Sequence, residues 1–392
     1  MKTIAFCNST LAWGGGENWH LDAALFMANQ GYHVIVMAHE DGALYQRAKE
    51  HVSAGFTLLP LSIGRLSFLN PLVVGRYAKL LRDLQVDTVI MNLPQDLKCI
   101  GLAAKKAGVA HVIYRRGSAL PVRNSLLNRY LYGQVLTGLI VNSKATYNEV
   151  YRHNARLIPS ERVILLSNGI DIASFEERLK KAEPLPGFTD TLTGSAQTNQ
   201  QKTNQQKKGP IILGNAGRLN KQKGQQYLLY LAHCLDALAV DYRVIIAGGG
   251  ERREELEDLA QKLGVAERVT FCGFLEDTAT FWKSIDIFVL TSLWEGFGYV
   301  LLEAMLSKKP ILAFGVSNIP ELVEEGKNGF LFPLPEEAAP NMLPMAKAVQ
   351  ALAQDAELRE RMGVAGHTFA KPAFDQSQVM ERLMYYLNRT DY

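Results

Sequence analysis

Two glutamates, Glu295 and Glu303, have seven residues between them in a segment that is otherwise glycine, aromatic or aliphatic. Glu303 falls in a predicted helix whose flanking residues, 299–302 and 304–306, are all apolar or aromatic. A carboxylate in such surroundings needs hydrogen-bond donors, and ribose hydroxyls supply them in dinucleotide sites. Glu295 lies in a glycine-containing loop before the helix, where backbone N–H groups suit an anionic or hydroxyl-rich ligand. The alternative is one capping glutamate and one salt-bridged glutamate.

A basic turn, 214–224, follows a predicted strand and opens a predicted helix. Its Arg218 and Lys223 can both point toward the carboxyl end of that strand. An Arg fork with a Lys point charge can neutralise a departing diphosphate without a metal. The chain has no Asp-x-Asp motif, which also argues against a metal bridge. Lys221 is a neighbouring alternative to Lys223, and a solvated basic turn is the simpler interpretation.

Two glycine clusters follow predicted strands and precede predicted helices: Gly14–Gly16 and Gly248–Gly250. Glycine lets the backbone approach a ligand closely, and a helix N-terminus favours anions. Neither cluster gives the dinucleotide fingerprint or a P-loop, so a simple tight turn is an equal alternative.

Charge is distributed unevenly along the chain. Residues 1–170 hold 18 Lys/Arg and 10 Asp/Glu, hence +8, which leaves −5 for the rest of a chain whose net charge is +3. No acidic residue occurs in 97–148, a stretch that attracts phosphates or anionic lipid unless it is merely a solvated face. Within it, Arg115 and Arg116 follow a predicted strand, where they would meet a donor phosphate or an acidic acceptor unless they form a surface pair. An amphipathic pattern over 119–136 predicts either contact with an anionic membrane or a core helix.

The elements that must position these residues alternate between strand and helix, which predicts α/β domains with parallel sheets. The rhythm of strand, glycine turn and helix occurs twice, so we expect two Rossmann-like domains facing a central cleft. The first domain covers 1–170, the second covers 209–374, and 171–208 is a linker with a flexible insertion. An amphipathic C-terminal helix is expected over 375–390.

Cysteine spacing, apolar runs and the pattern of charge exclude several kinds of protein. The 4 cysteines lie far apart without a C-x-x-C pair, so we expect neither a disulfide framework nor a metal site. No signal peptide or membrane-spanning run is apparent, which favours a cytoplasmic protein. Nucleic-acid binding is disfavoured because no basic-aromatic module accompanies the charge.

The chain resembles glycosyltransferase family 4, the retaining GT-B enzymes, over nearly its whole length apart from 187–208. In the second half the likeness rests on Gly217-Arg-Leu, Lys223-Gly, Ala247-Gly-Gly-Gly, Val269–Phe274, Thr291–Gly298, Glu303-Ala-Met, Pro310, Pro320-Glu and Gly329–Phe332. In the first half it rests on Gly14-Gly, Gly31-Tyr-His-Val, Val141-Asn-Ser and Ser167–Asp171.

The resemblance implies roles for particular residues. Arg218 and Lys223 would bind the donor diphosphate and stabilise its departure. Glu295 would contact the donor sugar, Glu303 the ribose, and residues around Gly273 the base. The C-terminal helix would cross back to the first domain. The remaining donor-binding residues that we expect are Gly15, Gly16, Gly217, Gly249, Phe274, Gly296, Phe297 and Gly298.

Two segments depart from the family pattern. Many members carry a histidine after the strand that matches 111–114, whereas here that strand continues into Arg115-Arg116-Gly117. A turn that is usually of Gly-Gly-Pro-Glu type reads Gly-Val-Ser-Asn-Ile-Pro over 315–320, so contacts to the donor phosphate are expected to differ there.

The resemblance implies a retaining transferase, and the pairing of Arg218 with Lys223 favours one that needs neither a metal nor a cofactor. It would move a hexose-type sugar from a UDP- or GDP-sugar to a hydroxyl of a glycan or lipid-linked acceptor, in cell-surface polysaccharide or lipopolysaccharide synthesis. We expect it in the cytoplasm, with peripheral contact to the inner face of an anionic membrane. The alternatives are a nucleotide-sugar epimerase of the same architecture and a non-catalytic nucleotide-sugar binding protein.

Overall fold

The computed structural model describes residues 2–188, 209–336 and 340–388. Within these ranges the chain divides into two compact units. The first comprises Met1–Gly169 with Gln376–Tyr392, and the second comprises Ile170–Asp375.

The first unit is built on a seven-stranded parallel sheet of order β3-β2-β1-β4-β5-β6-β7. Strands such as Thr3–Asn8 are buried along their whole length, as expected where helices cover both faces of a parallel sheet. The strands are β1 (Thr3–Asn8), β2 (His33–Ala38), β3 (Phe56–Pro60), β4 (Thr88–Met91), β5 (His111–Arg116), β6 (Gly138–Val141) and β7 (Val163–Leu165).

Helices cover both faces of this sheet, with a separate apolar cluster on each. They are α1 (Gly15–Asn29), α2 (Ala43–Ala48), α3 (Pro71–Asp83), α4 (Pro94–Asp96), α5 (Leu102–Ala107), α6 (Leu126–Tyr130) and α7 (Lys144–Tyr151). The π-helical segment Leu97–Gly101 joins α4 to α5, and Leu131–Val135 extends α6. Gly31 has a φ of +83° just beyond α1, so the predicted stop of this helix is confirmed.

The amphipathic pattern over 119–136 does not form one helix. Residues 117–125 are neither helix nor strand, and α6 begins only after Ser125, whose side chain accepts a hydrogen bond from the Asn128 amide. Pro121 lacks an N–H, which disfavours a longer helix through this segment.

The second unit repeats the plan with a six-stranded parallel sheet of order β10-β9-β8-β11-β12-β13. The strands are β8 (Ile211–Ala216), β9 (Tyr242–Ala247), β10 (Val269–Gly273), β11 (Ile287–Leu290), β12 (Ile311–Phe314) and β13 (Gly329–Phe332). The helices are α8 (Ile172–Lys181), α9 (Gln225–Ala237), α10 (Arg253–Lys262), α11 (Ala279–Ser284), α12 (Tyr299–Leu306), α13 (Ile319–Leu322), α14 (Leu343–Gln354) and α15 (Ala356–Ala373). Short 3-10 helices in the chain are Lys49–His51, Ser67–Leu69, Ser160–Arg162, Lys221–Lys223 and Ala266–Arg268.

The chain passes from one unit to the other twice. The predicted linker 171–208 begins with α8, which Asp171 caps and which belongs to the second unit, while 189–208 lie outside the described residues. The last helix, α16 (Gln376–Asn388), returns to the first unit. There it buries Val379, Leu383 and Tyr386 in the same apolar cluster as α1.

No helix within 2–188, 209–336 or 340–388 combines the length and the hydropathy needed to cross a membrane.

Candidate active site

In the second unit, four loops meet at the carboxyl edge of the sheet. They follow β8, β9, β10 and β11, which are neighbours in the sheet. Backbone hydrogen bonds tie them together: the Leu219 amide donates to the Gly249 carbonyl over 2.9 Å, and the Gly248 amide to the Gly273 carbonyl over 2.7 Å. Ligands of open α/β sheets bind at this edge.

Lys223 and Glu295 form an ion pair at this edge. The Lys223 ammonium lies 2.6 Å from Glu295 Oε1, which also accepts a 2.6 Å hydrogen bond from the Ser292 hydroxyl. Glu295 is 5% exposed. The backbone fixes this geometry, since Asn220 caps the 3-10 turn that ends at Lys223 and Thr291 donates to the Lys223 carbonyl. Lys223, rather than Lys221, is therefore the lysine that the fold directs at Glu295.

Arg218 lies on the same loop but differs in environment. Its side chain is exposed, and in the described part of the chain no hydrogen bond or ion pair engages its guanidinium. Its backbone carbonyl accepts from the Gln225 amide group, which holds the loop against the start of α9. All five of its N–H donors are thus available to a ligand.

Glu303 projects from α12 into a partly buried position. Its Oε2 accepts hydrogen bonds from Trp282 Nε1 over 2.9 Å and from the Thr278 hydroxyl over 3.0 Å. Burial raises the pKa of this carboxyl, and the two hydrogen bonds oppose that shift. Both of these hydrogen bonds go to Oε2, which leaves Oε1 for a ligand. No local pattern indicated Thr278, which lies just before α11, or Trp282, which lies within it.

The glycines of these loops are required by close packing. A Cβ at Gly248 would collide with the Gly217 carbonyl, and one at Gly250 with the Leu219 backbone. Gly249 has open space in front of it, and Gly217 packs along the Lys223 side chain. The cluster therefore brings a bare backbone to the edge of the site.

The aromatic residues of the predicted donor set divide into two classes. Phe274 follows Gly273, which has a φ of +73°, and its ring is 77% exposed. Phe297 is buried and packs its ring against Phe374. The Phe297 side chain therefore cannot face a ligand, and this residue can contribute only its backbone, as its neighbours Gly296 and Gly298 do. Gly298 has a φ of +81° and precedes α12.

In the first unit, the predicted glycine loop leads directly into α1. Gly15 and Gly16 are its first two residues. A Cβ on Gly16 would lie 2.6 Å from the Asn92 amide nitrogen, so this position accepts only glycine without rearrangement. Glu17, which follows, is buried and accepts from the Asn8 amide over 3.0 Å.

Arg115 and Arg116 are buried, which differs from an exposed phosphate-binding pair. Arg115 is 2% exposed and donates to Asn92 over 2.9 Å and to Asn168 over 2.7 Å, with its guanidinium 4.6 Å from the centre of the Trp19 ring. Arg116 donates to the Leu120 carbonyl. The Arg115 guanidinium is thus engaged by two asparagines, whereas Nε of Arg116 is buried without a hydrogen-bond partner among the described residues.

Sequence reasoning missed Asp96, a fully buried carboxylic acid that follows β4, at the carboxyl edge of the first unit's sheet. Ser9 donates to its Oδ1, and the Leu93 amide donates to its Oδ2 over 3.1 Å. Burial raises its pKa to about 7. Asp96 is the third residue of α4, where an acidic side chain commonly accepts a hydrogen bond from the backbone N–H of the N-cap residue. This spacing was the one local sign in the sequence that Asp96 has a structural contact.

Replacing Arg115 by alanine is expected to lower the free energy of unfolding of the first unit by about 2–4 kcal/mol, because Asn92 and Asn168 lose a buried charged partner. Urea unfolding would measure the change. Arg123→Ala, an exposed arginine of the same acid-free stretch, is the control and should shift the value by less than about 0.5 kcal/mol. Equal effects of the two substitutions would contradict the buried network.

In the described ranges no group of three or more His, Cys, Asp or Glu side chains is arranged to hold a metal ion.

Comparisons with known proteins match both units. The family model "Glycosyltransferase Family 4" matches residues 13–174, and "Glycosyl transferases group 1" matches 196–369. The alpha-D-kanosaminyltransferase of Streptomyces kanamyceticus is 36% identical over 156 residues, which is 39% of this chain and 39% of that protein.

A longer match is the N-acetylgalactosamine-N,N'-diacetylbacillosaminyl-diphospho-undecaprenol 4-alpha-N-acetylgalactosaminyltransferase of Campylobacter jejuni, 23% identical over 82% of both chains. Among solved structures, Anabaena HepE in complex with UDP and glucose superposes with a TM-score of 0.78 at 22% identity, over 99% of both chains. The predicted GT-B fold is confirmed. The chain belongs to the group 1 glycosyltransferases of glycosyltransferase family 4.

Proposed function

We propose that the protein transfers a hexose-type sugar from a UDP- or GDP-sugar to a hydroxyl of a glycan or lipid-linked acceptor, in cell-surface polysaccharide or lipopolysaccharide synthesis. The observation that carries the donor assignment is the convergence of Arg218, Lys223, Glu295 and Glu303 at one sheet edge of the second unit. Two cations and two carboxylates at such an edge match the diphosphate and the hydroxyls of a nucleotide sugar.

In this proposal the second unit stabilises the leaving diphosphate. As the bond between the anomeric carbon and the phosphate oxygen breaks, the electron pair leaves with the diphosphate. Arg218 contributes a free guanidinium fork and Lys223 a positioned ammonium. The N-terminus of α9, which begins directly after Gly224, adds a positive dipole end. Together these positive charges would neutralise the departing diphosphate without a divalent ion, so we propose that the reaction needs no metal and no other cofactor.

The remaining donor contacts follow from the same geometry. Glu295 would accept hydrogen bonds from sugar hydroxyls through the carboxylate that Lys223 and Ser292 hold in place. Glu303 would accept from the ribose through Oε1, while Gly273 and the exposed Phe274 would lie beside the base. The bare backbone of Gly249 and Gly217 would approach the phosphates. For the first unit we propose that Gly15 and Gly16 bind a phosphate at the N-terminus of α1.

An acceptor hydroxyl would attack the anomeric carbon on the face from which the diphosphate departs, and its proton would pass to the departing phosphate oxygen, which gives retention. Relatives support the classes of donor and acceptor: the HepE structure contains UDP and glucose, and the Campylobacter jejuni relative is named for a diphospho-undecaprenol acceptor. Because Arg115 is held by Asn92 and Asn168, we propose that it shapes the first unit's ligand edge rather than binding phosphate itself.

We further propose that the first unit touches an anionic membrane through residues 120–130. Leu126 is 82% exposed and Leu120 is half exposed, and Arg123 and Arg129 are exposed beside them. Exposed leucines among arginines bind anionic lipid by burial and by charge together. Co-sedimentation with anionic liposomes that is lost at high salt would support this contact, and no association at low salt would exclude it.

The pH dependence of donor affinity is a test of Glu303. Its raised pKa means that it binds a proton at pH values where an exposed glutamate is ionised. The ionised form is the better acceptor for ribose hydroxyls, so donor affinity should fall as pH decreases through that raised pKa. A titration of donor affinity from pH values above this raised pKa to values below it would show the decrease, and Glu303→Gln should flatten the profile.

The same shift has the opposite sign for stability. The folded state holds the Glu303 proton more tightly than the unfolded chain. Its contribution to stability is therefore complete below the unfolded pKa and is lost as pH rises through the folded pKa. Urea unfolding at a series of pH values should therefore show that the wild type loses stability, relative to Glu303→Gln, as pH rises through this pKa. The same dependence of the free energy of unfolding on pH in both proteins would contradict the assignment.

The proposed function is tested by incubating the protein with radiolabelled UDP-glucose and GDP-mannose and a bacterial lipid-linked oligosaccharide fraction in EDTA. Incorporation of label with an axial, retained anomeric linkage by NMR is expected. Incorporation that occurs in a parallel incubation without EDTA, and is absent in EDTA, would contradict the metal-independent mechanism. Isomerisation of the sugar on the nucleotide without acceptor would favour an epimerase, and binding without either reaction would favour a non-catalytic protein.

A further inference from the structure

The turn that departs from the family pattern, 315–320, contains an unusual backbone conformation. Ser317 has a φ of +53°, in the left-handed region that favours glycine. Its side-chain oxygen accepts a 3.1 Å hydrogen bond from the backbone N–H of Glu295. A serine in this conformation has a backbone cost that glycine would not have, and its hydroxyl makes a contact that glycine could not make.

The next residue acts on the same loop. Asn318 is fully buried, and its amide nitrogen donates to the Phe297 carbonyl over 2.7 Å. Two consecutive side chains therefore hold the first and third residues of 295–297. Glycines in their place would leave both backbone groups without these partners.

This arrangement completes the positioning of Glu295. Its carboxylate is fixed by Lys223 and Ser292, and its backbone is fixed by Ser317. Because the Ser317 oxygen accepts from the amide, its own O–H remains to be donated. Ser317 is only half-buried, so that proton can reach a ligand oxygen at Glu295.

We propose that Ser317 is a positioning residue for the donor sugar: it fixes the backbone of Glu295 and offers its hydroxyl proton to a sugar oxygen. This inference rests on the proposed function, since it assumes that Glu295 faces the sugar. It predicts that Ser317 affects recognition of the intact nucleotide sugar and leaves recognition of the free nucleoside diphosphate unchanged, because Arg218 and Lys223 bind the latter.

The test compares Ser317→Gly and Ser317→Ala with wild type. Glycine removes the hydroxyl and relieves the backbone, whereas alanine removes the hydroxyl and keeps the strained φ. Lys308→Gly is the matched control, because Lys308 is exposed and has the same φ of +53° at the far end of α12. The probes are UDP-glucose and GDP-mannose with UDP and GDP, measured by calorimetry and by transfer kinetics.

We expect both Ser317 variants to lose about tenfold in kcat/KM and in affinity for the sugar conjugate that the wild type uses. Affinity for the matching diphosphate should stay within about twofold, Ser317→Gly should keep its Tm, and Lys308→Gly should match wild type throughout. Wild-type affinity for the sugar conjugate in both variants would overturn the inference and leave the proposed function standing. Equal losses for conjugate and diphosphate would show general disruption and also overturn it. Absence of binding and transfer in the wild type would remove the proposed function and this inference with it.

Discussion

Replacing Arg218 by alanine is expected to lower kcat about 100- to 1000-fold, the effect of removing one preorganised donor from the charge that develops in a transition state. The fold should be unaffected, because the Arg218 side chain is exposed and makes no hydrogen bond or ion pair with any residue in the described ranges. Steady-state kinetics with the labelled donor measure the first effect, and the midpoint of thermal unfolding measures the second.

Two further variants sharpen this prediction. Arg218→Lys retains the charge but loses the guanidinium fork, so its kcat should lie between that of the wild type and that of Arg218→Ala. Lys221→Ala removes an exposed positive charge from the same loop and should retain wild-type kcat. Equal losses in Arg218→Ala and Lys221→Ala would show that the loop acts through its net charge, and would contradict the assigned role of Arg218.

Replacing Lys223 by methionine is expected to affect both stability and activity. Glu295 would be left as a buried carboxylate without its cation, and the free energy of unfolding should fall by about 3 kcal/mol. The kcat should also fall, since the departing diphosphate loses one of its two cations. Denaturant unfolding and donor kinetics separate the two effects.

The double variant Lys223→Met with Glu295→Gln distinguishes structure from catalysis. A neutral amide can keep the hydrogen bond from Ser292 without needing a cation. Stability should therefore recover by most of the amount that Lys223→Met alone removes, while activity stays low. Recovery of activity together with stability would show that Lys223 serves only to neutralise Glu295.

The parallel sheets were predictable because their strands are short, continuous apolar runs, each separated from the next by an amphipathic segment and a glycine turn. The junction of Arg218, Lys223, Glu295 and Glu303 was predictable for the same reason. Arg218, Lys223 and Glu295 lie in loops that follow strand ends, and Glu303 lies within the helix that the last of these loops opens. Neighbouring parallel strands bring such loops together.

Contacts that join distant segments were not predictable. Burial of Arg115 depends on Asn92 and Asn168, and nothing in a local pattern shows that these three residues meet. Trp282 and Thr278 fix Glu303 from another helix, which periodicity would assign only to packing. The 119–136 pattern misled because spaced leucines have helical periodicity even where Pro121 and the Ser125 cap prevent a continuous helix.

The central claim is that the second unit binds a nucleotide-sugar donor through Glu303 and its neighbours. A thermal-shift screen of UDP, GDP, ADP and their sugar conjugates tests it most directly, since a ligand that binds only the native state raises its apparent stability. We expect one nucleotide family to raise the Tm of the wild type and of the exposed control Glu267→Ala, and to have little effect on Glu303→Ala. No shift with any nucleotide, or an equal shift in Glu303→Ala, would contradict the account.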